Sequence, residues 1–335
     1  MIDPENSTLD EIEDEIAKIQ VLITKKRIEQ IDKKEIPRPL LKWVGGKGQI
    51  IDKILKKIPL KMNNYHELFI GGGSVLLMIL WAQKNNYIHI ENKIHAYDLN
   101  EALISTYKQI QTNKEGLYEE INKIIDEFSK CDETGNVDRK PETIESAKTS
   151  KESYYYWIRK LYNAEKDKTS ILSSAYFIFM NKTGFRGMYR EGPNGFNIPY
   201  GNYKKPKIID KEELDYISEL IQDVEFHHSD FSESFKNIEG VNNFIYLDPP
   251  YAPENDTSFV GYTKDGFDIN QHKKLFENLK KASEKNMIMM SNANVPLMRE
   301  HIPVETFTYE VINCRRSINS KDPSAKTEEV IITNY

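Results

Sequence analysis

The apolar positions of this chain fall into two rhythms. Short runs that are apolar on both faces, Phe244–Leu247 above all, read as strands buried inside a parallel sheet. Ile94–Asp98, Val224–His228 and residues 286–291 read as further strands. Between them, apolar residues recur every three or four positions. That spacing predicts helices over residues 50–58, 75–81, 154–161, 175–180, 211–222, 271–285 and 295–302, one opening at Asn100 and one reaching about Phe128. Two final strands close the chain. Strands alternating with helices predict an α/β fold around a mostly parallel sheet.

Residues 1–36 stand apart. The first fifteen hold seven acids and no Lys or Arg. Thr8 and Glu11 resemble a capping box, and Ile12, Ile16, Ile19 and Ile23 share one helical face. An amphipathic helix packing on the body is expected, with self-association as the alternative. Pro37 and Pro39 end this leader, and it receives no catalytic role.

Composition narrows the picture. The 335 residues are enough for one large domain or two, and a formal charge of −6 excludes a globally basic nucleic-acid protein. Any nucleic-acid contact has to come from a local patch. Cys131 and Cys314 fit neither a zinc spacing nor a disulfide framework, which points to a reducing compartment. Without a signal pattern or a long apolar run, a soluble intracellular protein is expected, and no internal repeat is found.

Chemistry gathers at strand ends. The run 244–247 halts on Asp248-Pro249-Pro250-Tyr251, because neither proline can donate to a ladder. Asp248 then lies where open α/β sheets bind ligands, beyond the carboxyl ends of their strands. A carboxylate and the Pro249 carbonyl can each accept one N–H of an aromatic exocyclic amine, while Tyr251 stacks on the ring. Upstream, Lys42-Trp43-Val44-Gly45-Gly46-Lys47 is a glycine-rich loop of the wrong spacing for a Walker A motif. His66 to Ser74 reads as a strand and a glycine turn, Gly71 to Gly73, that opens a helix. Asp98 ends the next strand 27 positions after Gly71, well placed for ribose hydroxyls. Glycine turn and acid together favour an adenosine-bearing cofactor. The Asp-Pro-Pro-Tyr corner favours S-adenosylmethionine over NAD, since hydride transfer has no use for it. His227 and His228 invite a metal reading, but adjacent strand residues face opposite ways and no third ligand has suitable spacing. No metal is expected.

The middle, residues 111–210, carries the basic charge. From 181 to 210 there are six Lys or Arg against two acids, a net +4 inside an acidic protein. Glycines and prolines make it a hairpin-like region, preceded by an exposed loop around Cys131. Cations interleaved with aromatics suit a nucleic acid: Lys204 and its neighbours meet phosphates, Phe185 or Met188 wedges into a base stack, and Arg190 pairs with a guanine edge. Pro199 lies in the same loop region. Arg315 and Arg316, between the last strands, are a second candidate phosphate contact. The polar, glycine-punctuated stretch 252–267 reads as a mobile loop near the site.

Taken in order, Lys42-Trp43-x-Gly45-Gly46-Lys47, Phe69-x-Gly71-x-Gly73-Ser74, Asp98-x-Asn100 and Asp248-Pro-Pro-Tyr251 resemble the motifs of Dam-type, alpha-group adenine-N6 DNA methyltransferases. The resemblance runs from about Pro37 to Tyr335. It implies a Rossmann-like S-adenosylmethionine-dependent methyltransferase sheet with an inserted helical and β-hairpin target-recognition domain. It implies that Trp43, Lys47, Asp98 and Asp248 contact S-adenosylmethionine, that Asp230 and Phe231 flank its adenine, and that Lys42 reads a guanine. Residues 181–210 resemble the hairpin of members that read GATC, where the position of Phe185 inserts into the duplex and that of Arg190 reads a guanine. Arg186 departs from the Asn that relatives often carry.

The expected organisation is a leader (1–36), a cofactor part (37–110), a recognition insert (111–210) and a catalytic part (211–335). The expected enzyme methylates adenine N6 in double-stranded DNA, within GATC or a longer GAT-containing site, by flipping the base out. It acts as a monomer or weak dimer, with a cognate restriction endonuclease as a candidate partner and no membrane. The alternatives are a methyltransferase for RNA or protein glutamine, and a non-catalytic DNA-binding regulator.

Overall fold

A computed structural model describes residues 8–132, 135–252, 267–315 and 326–335. Thr8 accepts from the Glu11 amide and Glu11 answers on the Thr8 amide, so the capping box opens α1 (Leu9–Gln30) as expected. The packing of that helix is different. Ile16, Ile19 and Ile23 are exposed, Ile12 is half-buried and Ile28 alone is buried. Only the last turn docks: Ile28, with Ile31 partly buried beside it, joins the buried Ile36, Leu40 and Leu41 in the core.

The chain continues through α2 (Ile51–Leu55), β1 (Lys61–Met62), β2 (Tyr65–Glu67), α3 (Ser74–Lys84), β3 (His89–Ile90), β4 (Ile94–Asp98), α4 (Glu101–Thr112) and α5 (Lys114–Ser129). The middle adds α6 (Ile144–Ala147), α7 (Lys151–Ala164), α8 (Ile171–Thr183) and the hairpin β5 (Glu191–Gly192) and β6 (Gly195–Phe196). Then come α9 (Lys211–Leu220), β7 (Val224–His228), α10 (Phe231–Lys236), β8 (Phe244–Leu247), α11 (Ile269–Ser283), β9 (Met287–Ala293), α12 (Pro296–His301), β10 (Thr308–Arg315) and β11 (Lys326–Thr333).

The main sheet runs β10-β11-β9-β8-β2-β4-β7. From β9 to β7 every pairing is parallel, and β11 is antiparallel to both its neighbours. From β2 the chain adds β4 and β7 on one side, then β8 and β9 on the other. The order therefore reverses between β2 and β8, the switch point at which open α/β sheets form a crevice. β8 is buried at every position, as a central strand must be.

One face of the sheet packs on α3 and α4 through residues such as Leu76, Leu103 and Ala96. The same core continues without a break into α5, α7 and α8 through Phe128, Tyr154, Tyr155, Phe177 and Phe179. The middle segment is thus fastened to the sheet by shared apolar packing. On the other face, Tyr97, Ile245 and Leu247 meet Leu275, Phe276 and Met298 of α11 and α12. Cys131, expected in an exposed loop, is buried in the first core. It extends the apolar stripe Ile121, Ile124, Phe128 by one more helical step, and its thiol meets the Glu127 carbonyl. No helix among the described residues is long and apolar enough to cross a membrane.

Candidate active site

The glycine turn lies at the switch point. After β2 the Leu68 amide donates to the Tyr246 carbonyl and the Ile70 amide to the Tyr97 carbonyl, which carries the chain across two strand ends before it turns into α3. Gly71 (φ +49) and Gly73 (φ +74) supply the left-handed geometry. A Cβ on Gly71 would lie 2.8 Å from Trp43 Cδ1, and one on Gly73 would strike the Tyr107 hydroxyl. That hydroxyl donates to the Gly72 carbonyl at 2.7 Å.

Asp98 closes the turn from the end of β4. Its Oδ2 accepts the Gly71 amide at 3.0 Å and its Oδ1 the Asn100 amide at 2.9 Å. An ionised carboxylate has about four lone-pair sites, so acceptor capacity remains for a diol. Burial pushes the Asp98 carboxyl above its usual range, against the pull of those two amides. Beside it, Phe69 stacks on Phe231 at 6.1 Å, with Phe267 edge-on to Phe69. Asp230 caps α10 by accepting the Ser232 amide.

The corner after β8 is held from two sides. Lys47 Nζ lies 2.6 Å from Asp248 Oδ2 and donates to the Gly45 carbonyl at 2.8 Å and to the Tyr251 hydroxyl at 3.2 Å. The Lys47 side chain is only 4% exposed and that of Asp248 19%, so this pair is shielded from screening water. Ser291 of β9 donates to Asp248 Oδ1 at 3.3 Å and shares a 2.6 Å hydrogen bond with Tyr246. Burial raises the Asp248 carboxyl, and the Lys47 ammonium opposes the rise. Asn292 Oδ1 accepts the Ala252 amide, anchoring the chain just beyond Tyr251.

A third group joins the middle segment to this corner. Asn181 at the end of α8 accepts the Lys42 amide at 2.9 Å and donates to the Lys42 carbonyl at 2.7 Å. Lys42 Nζ lies 4.5 Å above the Tyr203 ring and donates to the Lys182 carbonyl. Trp43 stacks on Tyr189 at 6.0 Å while its edge faces Gly71. The loop from Lys42 to Lys47 therefore touches the hairpin region, the glycine turn and Asp248.

The hairpin residues separate into two groups. Phe185 is 44% exposed, with its amide on the Pro199 carbonyl. Arg186 has φ +56 and donates its amide to the Tyr203 hydroxyl. Arg190 Nε bonds Asn197 Oδ1 at 2.7 Å across the β5–β6 hairpin, and Lys204 and Pro199 are exposed. Met188, the other wedge candidate, packs partly buried against the main core, because Gly187 (φ +63) turns the chain inward beside Lys42. Arg315 ends β10; its side chain, Arg316 and residues 253–266 lie outside the described residues. His227 and His228 do face opposite ways, His228 Nε2 meeting the Leu99 carbonyl and the His227 ring stacking on Tyr97.

Sequence reasoning assigned no role to Tyr107, Asn181, Ser291 or Glu67. Each acts across a gap of at least 35 positions, apart from Glu67, which bonds Tyr65 two residues away at 2.6 Å. Glu67 left no trace in the sequence: its burial shows in the fold, where every position of β2 is buried.

A mostly parallel sheet with a glycine turn and Asp248 at its switch point, and Asp98 at the end of the next strand, is consistent with an α/β methyltransferase fold. Comparison with known proteins carries the identification further: the chain belongs to the D12 class N6 adenine-specific DNA methyltransferase family, whose model matches residues 43–318. It is 35% identical over 310 residues to the type II methyltransferase M.MjaIII of Methanocaldococcus jannaschii, covering 89% of this chain and 99% of that one. It is 32% identical to the type II methyltransferase M1.LlaDCHI of Lactococcus lactis subsp. cremoris (89% and 95% covered) and 30% identical to the DNA adenine methylase of Haemophilus influenzae (88% and 92%). The protein is thus an adenine-specific DNA methyltransferase by family, and membership implies S-adenosylmethionine as the methyl donor. The residues present fit that donor: a turn whose glycines leave no room for a Cβ, a carboxylate with spare lone pairs, and apolar rings beside it.

Proposed function

We propose that this enzyme methylates adenine N6 within GATC in duplex DNA, a longer GAT-containing site being the second choice. Asp98 accepts from the ribose hydroxyls of S-adenosylmethionine, Phe69, Asp230 and Phe231 hold its adenine, and Trp43, Lys47, Gly71 and Gly73 complete the cradle. The bound cofactor supplies an electrophilic methyl carbon. The target adenine leaves the base stack, and Phe185 fills the gap. Asp248 and the Pro249 carbonyl each accept one N6–H, Pro250 fixes the turn, and Tyr251 stacks on the purine. Two acceptors on one amine hold its lone pair toward the methyl, so the rate comes from orientation and fixed dipoles. Asp248 positions the amine first and takes its proton as the new bond forms.

On the DNA side, residues 111–210 act as the recognition insert between the cofactor part (37–110) and the catalytic part (211–335). Lys42 and Arg190 read guanines, Lys204, Arg315 and Arg316 meet phosphates, and Pro199 supports Phe185 through its carbonyl. The observation that carries the reading is Asp248 at the switch point, gripped by Lys47 and Ser291 beside a glycine turn. A cognate restriction endonuclease is the partner that the two type II relatives support. The test is plasmid DNA treated with enzyme and S-adenosylmethionine, then cut with nucleases that are blocked by, or that require, methylated GATC. Blocking of the first and cutting by the second are expected; methyl incorporation with neither effect rejects GATC and leaves adenine methylation standing.

A further inference from the structure

The face of the sheet turned away from α3 and α4 carries donor atoms that methyl transfer does not use. On β4 and β7 the register pairs His95 with Glu225 and Tyr97 with His227, so His95, Glu225 and His227 share that face. His95 Nδ1 lies 3.2 Å from His227 Nε2 and 3.4 Å from Glu225 Oε2, and the last two atoms are 3.9 Å apart. A tetrahedral ion with bonds of about 2.0–2.1 Å places its donors roughly 3.3–3.4 Å apart. Two edges of the triangle match one face of such a tetrahedron, and the third, Glu225 to His227 at 3.9 Å, is longer and closes when an ion draws the donors in.

Protons alone leave this triangle poorly satisfied. One N–H on either imidazole serves a single edge, and a second would aim two donors at each other across 3.2 Å. One cation at the centre serves all three lone pairs. The surroundings hold the donors in place: Lys93 Nζ grips the other Glu225 oxygen at 2.8 Å, His66 stacks on His95 at 4.7 Å, and Tyr97 stacks on His227 at 4.6 Å. The side chains are 13% (His95), 44% (Glu225) and 32% (His227) exposed, which leaves an entry path and room for water as a fourth ligand.

We propose that His95, Glu225 and His227 bind one divalent transition-metal ion, zinc by donor set, as a clip between β4 and β7. Two imidazoles with a carboxylate suit zinc, whereas magnesium and calcium want oxygen throughout. Among the described residues β7 ends the sheet and has β4 as its one neighbour, so it is the parallel strand with most to gain from a cross-strand bond. It also leads directly into Asp230 and Phe231. Its role is structural, since Asp248 follows β8, on the far side of β2 from β4.

The full-length protein, stripped with a chelator and returned to chelator-free buffer, is titrated with zinc chloride by calorimetry and melted with and without the metal. One ion per chain and a higher melting temperature are expected. His227→Ala and Glu225→Gln each weaken binding by about tenfold or more. His228→Ala, on the opposite face, binds zinc as the wild type does. The Glu225→Gln variant changes a partly exposed side chain and keeps its shape, so its result does not depend on the fold surviving a lost ring. No saturable heat from the wild type, equal binding by the His227→Ala and Glu225→Gln variants, or an equal loss in His228→Ala, overturns the site.

Discussion

Asp248 is asked to be both charged and dry. Burial favours its protonated form, and a protonated carboxyl presents one acceptor oxygen fewer to an amine. Lys47 at 2.6 Å and Ser291 at 3.3 Å offset that pressure. Asp248→Ala is expected to lower kcat for methyl transfer by about 10²–10³-fold, the scale of losing one fixed polar partner of a transition state. Tritiated-methyl transfer measures it, and turnover within a few-fold of wild type removes Asp248 from the reaction. Lys47→Met, which keeps the stem and deletes the charge, should lower activity most at low pH, where Asp248 is easiest to protonate.

Glu67 resolves the same problem in the opposite direction. Its carboxyl is fully enclosed, and burial pushes it up to about 8 from 4.5, while the hydrogen bond from Tyr65 pulls the other way. Between those values the folded protein holds a proton that the unfolded chain has released, so stability falls as pH rises through the window, by at most about 1.4 kcal/mol per unit. The neutral isostere Glu67→Gln should flatten that slope. Urea midpoints at a pH below and a pH above neutrality, for both proteins, report it; parallel slopes would mean that Glu67 ionises freely in the fold.

At the scale of elements, the glycine turn between β2 and α3 is the least substitutable piece. Gly73→Ala forces a left-handed φ on alanine and drives its methyl into Tyr107, at a cost of about 1–3 kcal/mol. Gly48 makes the control, having no positive φ and open space at its Cβ position, so Gly48→Ala should stay within about 0.5 kcal/mol. Denaturation midpoints compare the two, and the KM for S-adenosylmethionine should rise in the first alone. These elements were largely legible beforehand. An all-apolar run such as 244–247 admits few readings, and proline after it stops the strand wherever the rest of the chain goes. Neighbour relations were not legible. β2 is three residues long, and nothing in Tyr65–Glu67 says that it will separate β4 from β8 and so create the switch point. The Asn181 bond to Lys42 spans 139 positions, and the His95–His227 pair spans 132; local periodicity carries no information at such ranges. The leader misled for a related reason. An apolar stripe at helical spacing specifies a face, and it says nothing of whether the body offers a surface to cover it.

At the scale of the molecule, an acidic protein has to bind a polyanion. The net charge is −6, while residues 181–210 carry +4, so the favourable field is local and the rest of the surface opposes approach. Affinity should then be unusually dependent on orientation and salt. Each phosphate neutralised lowers the slope of log K against log salt by about 0.9, and a handful of hairpin cations predicts a slope of roughly −3 to −5. Lys204 and Lys205 are exposed, so reversing both to Glu should make the slope shallower by about 2 and leave the preferred sequence unchanged. Arg190→Ala should do the reverse, costing about 1–3 kcal/mol of discrimination at one base pair while changing the slope little. Fluorescence anisotropy on cognate and single-mismatch duplexes over a salt series separates the two effects. A slope unaltered by the double reversal would move the DNA to a different face of the protein, because counterion release counts charges where the duplex lies and nowhere else.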